Sequence, residues 1–216
     1  ATSALGNGIS GLANETVTIT DTSSIDASAL NTLNGYTTGN VVATTATSFT
    51  GTISDLNTLY AASSSSGNGV SGLGSEAATV TDSSVSASDL NTLNTKTNYN
   101  ITVNATTISG SLSDLNTLYG AKASNGDATT DGFTGLGSEN VTITDQGASG
   151  AGNGVSVSDL NTLNGYTTGN VNAGTITFLE GSISNLNTAY AATSALGNGI
   201  SGLANETVTI TDTSSI

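Results

Sequence analysis

A four-residue phrase, Leu-Asn-Thr-Leu, sets the terms for any fold this chain can adopt. It begins at Leu30, Leu56, Leu90, Leu115 and Leu160, and returns as Leu-Asn-Thr-Ala at Leu186. The intervals are 26, 34, 25, 45 and 26 residues, so short and long spacings alternate. Residues 1–25 recur unchanged at 192–216, an offset of 191 residues, and six repeats therefore fill one long period. The mean repeat of about 32 residues falls in the range of stacked repeat architectures. In such stacks each repeat buries its apolar residues on its neighbours. The expectation is one continuous solenoid over 1–216, cut from a longer array.

Each repeat reads as a short helix with a defined start. Ser86 to Asp89, Ser111 to Asp114, Thr52 to Asp55 and Ser156 to Asp159 share the capping-box pattern. There the hydroxyl accepts from a free backbone N–H of the first turn, and the acid reaches back to the N–H of the cap. Val85 with Leu90, Val155 with Leu160 and Ile25 with Leu30 have the spacing of a hydrophobic staple across that start. Leu56 and Leu59, like Leu115 and Leu118, are three apart and share a helix face. Asn34-Gly35 and Asn164-Gly165 are expected stops, because both residue types tolerate the left-handed conformation. A helix of about two turns does not persist alone, so neighbours must hold it.

Strands come from period-two alternation of β-branched residues. Val17-Thr18-Ile19, Ala78-Thr79-Val80 and Val141-Thr142-Ile143 show it in odd repeats. Val41 with Ala43, Ile101 with Val103, and Val171 with Ala173 show it in even ones. A lone apolar residue before each helix (Ile25, Phe49, Val85, Ile108, Val155, Leu179) reads as a very short second strand or a turn plugging the core. Gly69 to Leu73, Gly132 to Leu136 and Gly199 to Leu203 read as loops pinned over a helix end. The expected class is α/β: a right-handed parallel solenoid with one strand and one short helix per repeat. The alternative is a purely β solenoid.

Composition narrows the function classes. Sixteen acidic residues face only Lys96 and Lys122, for a net charge of −14. This argues against nucleic acid, whose phosphates need cations, and against anionic membrane surfaces. No apolar window approaches the about 18 residues of a membrane span. Without His or Cys the usual bases and thiol nucleophiles are missing, and the expectation is not an enzyme. The absence of Cys and Met leaves nothing easily oxidised, which suits life outside a cell.

Three stretches, SASDLNTLN (86–94), SLSDLNTLY (111–119) and GLGSEAATVTDSSV (72–85), carry a resemblance. The chain resembles the degenerate Thr-, Ala- and Leu-rich repeats of giant surface proteins of cyanobacteria and other aquatic bacteria. The resemblance implies a bacterial, extracellular or surface-exposed fibre, matrix or adhesin protein that associates with itself. In layout the repeats are also similar to leucine-rich repeats, whose LxxLxLxxN consensus they lack.

Candidate sites are few. Asp55, Asp89, Asp114 and Asp159 read first as helix caps. Asp21, Asp82, Asp145 and Asp212 follow equivalent strands, as weak Ca²⁺ candidates or turn caps. Asp127 and Asp131 sit in an acidic loop without EF-hand spacing and are weak Ca²⁺ candidates. Asn31, Asn57, Asn91, Asn116, Asn161 and Asn187 hold one position in all six repeats, as a ladder between repeats or as a solvated helix face. The six leucines at 30, 56, 90, 115, 160 and 186 read as core.

Overall fold

The computed structural model describes residues 12–64, 67–122, 132–192 and 198–212. Among them the chain is α/β, with six helices alternating with parallel strands. Repeat 1 supplies β1 (Val17–Thr18), β2 (Ile25–Asp26) and α1 (Ala27–Asn34), and repeat 2 supplies β3 (Asn40–Val42), β4 (Ser48–Gly51) and α2 (Ile53–Ala61). Repeat 3 holds β5 (Gly69–Ser71), β6 (Ala77–Val80), β7 (Ser84–Ser86) and α3 (Ala87–Asn94). Repeat 4 holds β8 (Asn100–Val103), β9 (Thr107–Gly110) and α4 (Leu112–Gly120). Repeat 5 follows with β10 (Gly132–Thr134), β11 (Asn140–Ile143), β12 (Val155–Ser156) and α5 (Val157–Tyr166). Repeat 6 has β13 (Asn170–Asn172), β14 (Phe178–Gly181) and α6 (Ile183–Ala191), and β15 (Gly199–Ser201) and β16 (Thr207–Ile210) come after it.

The chain divides into two compact units. The first comprises Ala1–Asp82, Thr92–Asn104 and Ala123–Thr134. It holds a three-stranded sheet, β1-β3-β5, and a five-stranded sheet, β10-β8-β6-β4-β2. Its α1 packs on α2. Ile25, Phe49, Ala78, Ile101 and Phe133 lie in register across the five strands. The last four of that row are fully buried, and Tyr60 of α2 meets the Phe49 ring edge-on at 6.2 Å. One residue further along, Asp26, Thr50, Thr79, Thr102 and Thr134 form the outer row, as period two requires.

The second unit comprises Ser83–Asn91, Ala105–Lys122 and Gly135–Ile216. Its sheets are β15-β13-β11-β9-β7 and β12-β14-β16, and α5 packs between α4 and α6. Val85, Ile108, Val141, Val171 and Ile200 form its buried row. The repeated leucines at 56, 90, 115 and 160 are fully buried, with Leu30 and Leu186 nearly so. Each such side chain contributes about 1.5–3 kcal/mol by leaving water.

The strand count departs from the one-strand expectation. Among the described residues, even repeats carry two strands and repeats 3 and 5 carry three. Among the described strands every pairing is parallel and joins a strand to the next but one, and the strands fall into four sheets. The lone apolar residues before the helices lie in strands β2, β4, β7, β9, β12 and β14. The glycine-flanked segments read as loops are strands as well, with Val70, Phe133 and Ile200 fully buried. Three residues are too few to display alternation, so pairing with a neighbour makes them strands.

Helix ends also differ from expectation. Gly35 closes α1 in a right-handed conformation, φ −72°, and Gly165 lies inside α5. Left-handed glycines appear instead after β5, β10 and β15, as Gly72, Gly135 and Gly202 with φ of 84–88°. A side chain on Gly72 would lie 2.7 Å from the Thr44 backbone, so glycine there serves a positive φ and a close approach together.

Candidate functional site: contacts between successive repeats

The chemistry-bearing side chains converge where one repeat meets the next. With two lysines for sixteen acids, carboxylates must find neutral donors. Glu76 is 1% exposed and Glu139 is 2% exposed. In the second unit, Glu139 accepts from the N–H of Gly137 at 2.8 Å and of Ser138 at 3.2 Å, and from the Tyr119 hydroxyl at 2.9 Å. Its backbone carbonyl accepts from Thr167 Oγ1 at 2.8 Å. The first unit repeats the arrangement. Glu76 accepts from Gly74 N–H at 2.8 Å and Tyr60 Oη at 3.3 Å, and its carbonyl accepts from Thr97 Oγ1 at 2.5 Å. The tyrosine comes from the helix before the glutamate and the threonine from the segment after the following helix. One glutamate thus ties three successive passes of the chain.

The third copy is more open: Tyr190 Oη donates to Glu206, which also accepts from the N–H of Ala204 and Asn205. Burial, with the Glu206 carboxylate beside it, pushes the Tyr190 hydroxyl up to about 12. For Glu206, burial acts to raise the pKa. The Tyr190 hydroxyl and the backbone N–H groups outweigh it and hold the carboxyl below the usual carboxylate range. Burial first, then Glu76 and Glu139 respectively, raises Tyr60 and Tyr119 well above an ordinary tyrosine. Sequence reasoning missed this network. Its signal was a shared two-repeat period: Glu15, Glu76, Glu139 and Glu206 recur with Tyr60, Tyr119 and Tyr190.

The capping residues act at helix starts. Thr52 Oγ1 accepts from Asp55 N–H at 3.1 Å, Ser111 Oγ from Asp114 N–H at 3.0 Å, and Ser156 Oγ from Asp159 N–H at 3.3 Å. The acid does not act as the box pattern suggests. Asp55 and Asp114 accept the hydroxyl proton of the cap, each at 2.7 Å. An aspartate is one methylene shorter than the glutamate of the usual box, which favours the nearer hydroxyl. Ser86 precedes α3 and bonds Ser88 Oγ at 2.8 Å, and Asp89 lies in the first turn of that helix. Two further caps emerge: Asp26 accepts from Ala29 N–H at 2.8 Å, and Ser182 from Asn185 N–H at 3.2 Å.

The aspartates singled out for Ca²⁺ bind across repeats. Asp82 Oδ2 accepts from Ile53 N–H at 2.7 Å, Asp145 Oδ2 from Leu112 N–H at 2.5 Å, and Asp212 Oδ2 from Ile183 N–H at 2.7 Å. Each is the first N–H of a helix in the repeat before it, where the helix dipole also favours an anion. Asp145 and Asp159 share the wall of a hollow of about 330 Å³. Asp21 is exposed and lines a larger groove of about 640 Å³ beside α1. Asp127 and Asp131 lie outside the described residues. Among the described residues no three acidic side chains gather as a metal site.

Four of the six recurrent asparagines bond from one repeat to the next, though not with each other, while Asn187 is exposed. Asn31 Nδ2 donates to the carbonyl of Asp55 at 2.9 Å, Asn91 to Asp114 at 2.9 Å, Asn116 to Asp159 at 3.2 Å and Asn161 to Asn185 at 2.9 Å. In each case the acceptor belongs to the first turn of the next helix. No described helix is long and apolar enough to cross a membrane. Comparison with protein-family models, with curated proteins and with solved structures returned no match.

Proposed function

We propose that this chain is a structural protein of an extracellular or cell-surface filament, built by stacking its repeats as a right-handed α/β solenoid. Its partner is itself, repeat on repeat and chain on chain. One observation carries the reading: the buried and half-buried polar groups serve cohesion between repeats. Glu76 and Glu139, Asp82 and Asp145, and the asparagine row each reach a neighbouring repeat. A catalytic cleft would leave such groups facing a substrate; these face backbone N–H, tyrosine and carbonyl groups of the same chain. The resemblance to bacterial surface-fibre repeats and the duplication of residues 1–25 point the same way.

The test is electron microscopy of the purified chain over a range of concentrations. Uniform unbranched filaments are the expected result. Discrete particles at every concentration would end the filament reading. A Ca²⁺-dependent surface layer or adhesin stalk is the competing assignment, and chelation separates the two. The melting temperature should not move on adding a chelator, because the aspartates of equivalent position are engaged by helix N–H groups. A drop of several degrees would favour the Ca²⁺ assignment.

A further inference from the structure

Two aromatic rings from successive repeats lie face to face in the second unit. Tyr119 of α4 and Tyr166, the last residue of α5, have ring centroids 5.9 Å apart and planes within 7° of parallel. Packing of α4 on α5 holds the pair, with Leu115, Leu118, Leu160 and Leu163 fully buried in these helices. The two rings differ in access: Tyr119 is 2% exposed and Tyr166 is 38% exposed. Tyr119 Oη donates to Glu139 Oε2 at 2.9 Å, so a proton acceptor for the buried phenol stands inside the protein.

A phenylalanine at 166 would stack as well. What its hydroxyl adds is redox chemistry. The chain has no Cys, Met, Trp or His, so its six tyrosines are the side chains most open to one-electron oxidation. The pairing is also particular to its place. Repeat 3 carries Lys96 six residues after Leu90, where repeat 5 carries Tyr166 six residues after Leu160. Repeats 2 and 3 therefore offer one ring, Tyr60, where repeats 4 and 5 offer two.

We propose that Tyr119 and Tyr166 form a site of oxidative cross-linking, where a one-electron oxidant driven by peroxide joins the two rings as dityrosine. Tyr166 is oxidised first, losing an electron to the oxidant and its hydroxyl proton to water. It recovers the electron from Tyr119 across the stack and a proton from water, while the Tyr119 hydroxyl proton moves to Glu139. A second oxidation of Tyr166 leaves a phenoxyl radical on each ring. A carbon ortho to each oxygen then bonds to its counterpart. Each of these carbons sheds its hydrogen as a proton, and each oxygen regains one, as the rings become aromatic again. In sum the pair loses two electrons and two protons, which convert one hydrogen peroxide into two waters. The new bond ties repeat 4 to repeat 5 in a chain that has no cysteine for the purpose. Both rings belong to one chain, so the inference does not rest on the filament reading.

Trypsin reads the site directly, because the chain has two lysines and no arginine. Cleavage after Lys96 and Lys122 yields peptides 1–96, 97–122 and 123–216, with Tyr119 in the second and Tyr166 in the third. The full chain is treated with a peroxidase and hydrogen peroxide at high dilution. The monomer is isolated by denaturing electrophoresis, and its digest is read by mass spectrometry and dityrosine fluorescence. Peptide 97–122 should be joined to 123–216, lighter by two hydrogens, with 1–96 free. Tyr99→Phe and Tyr190→Phe, at the other tyrosines of those peptides, should leave the joined product unchanged. Tyr166→Phe, which keeps the stacked ring and the circular dichroism, should cut it roughly tenfold or more, because the favoured geometry has lost its partner. The cross-linked monomer should melt about 10 °C higher, as closing a loop of that length dictates. A joined product that survives Tyr166→Phe overturns the inference, as does a monomer without dityrosine while separate chains become linked. Filaments seen without the cross-link would leave the filament reading standing, and the cross-link without filaments would uphold the tyrosine site alone.

Discussion

Glu139 concentrates the logic of this protein in one side chain. A carboxylate removed from water is costly unless its oxygens are met by donors. Here no cation meets it; two turn N–H groups and a tyrosine do. Glu139→Gln would set an amide N–H₂ against the N–H of Gly137, which bonds both carboxylate oxygens and can only donate. The expected loss is about 1–3 kcal/mol, the cost of unsatisfied buried donors, measured by urea unfolding. The tyrosines predict an alkaline limit. Their folded pKa values lie above the ordinary one, so the stability involved is present below pH of about 10. It is lost as pH rises from there towards the folded values, at about 1.4 kcal/mol per pH unit for each buried tyrosine. Thermal melts from pH 8 to 12 should fall steeply in the parent chain and less so after Tyr60→Phe and Tyr119→Phe together. Glu206 acts at the acid end with the opposite sign. Its folded pKa is depressed, so its contribution is present above the unfolded value and fades as pH drops through the folded one.

Helices of eight to ten residues have little stability of their own. They persist because other repeats supply partners to their free backbone groups. In α4, Ser111 caps the N–H of Asp114 from within the repeat and Asp145 caps the N–H of Leu112 from the next. Asp145→Ala should cost about 1 kcal/mol, the ordinary worth of a helix cap, although the residue lies outside that helix. Ser111→Ala should cost a similar amount, and a double-mutant cycle should show coupling, since the two serve one helix start. Asn161→Ala removes a donor to the first turn of α6, with an expected loss of about 1 kcal/mol. Denaturant melts read all of these.

Within each compact unit, an in-register apolar row runs across five strands without a break. Stability in such a stack is the sum of weak intrinsic terms and stronger neighbour terms. Leu115→Ala, at a fully buried position, should cost about 2–5 kcal/mol. The damage should extend beyond its own repeat. Hydrogen exchange is expected to speed up in β9 and β11, which are paired to each other, and to leave β1 and β3 unchanged. Loss of protection confined to α4 would count against this neighbour coupling.

Much of this molecule was legible in its residues. The leucine period located the six helices, the Ser/Thr-x-x-Asp phrases located caps, and alternation located the strands around Val17, Ala78 and Val141. These are local signals, because helix face, cap and pleat each arise from residues within one turn or one strand. What remained hidden was every decision made between repeats. Gly132–Thr134 carries no strand signal of its own and becomes one beside β8. Asp145 looked like a turn residue or a Ca²⁺ ligand until packing set it against a helix start 33 residues earlier. The Tyr119–Glu139 contact spans 20 residues and its equivalents 16, so no fixed spacing announced it. Partners of a buried polar group are chosen by proximity in space, and proximity exists only once the repeats have packed.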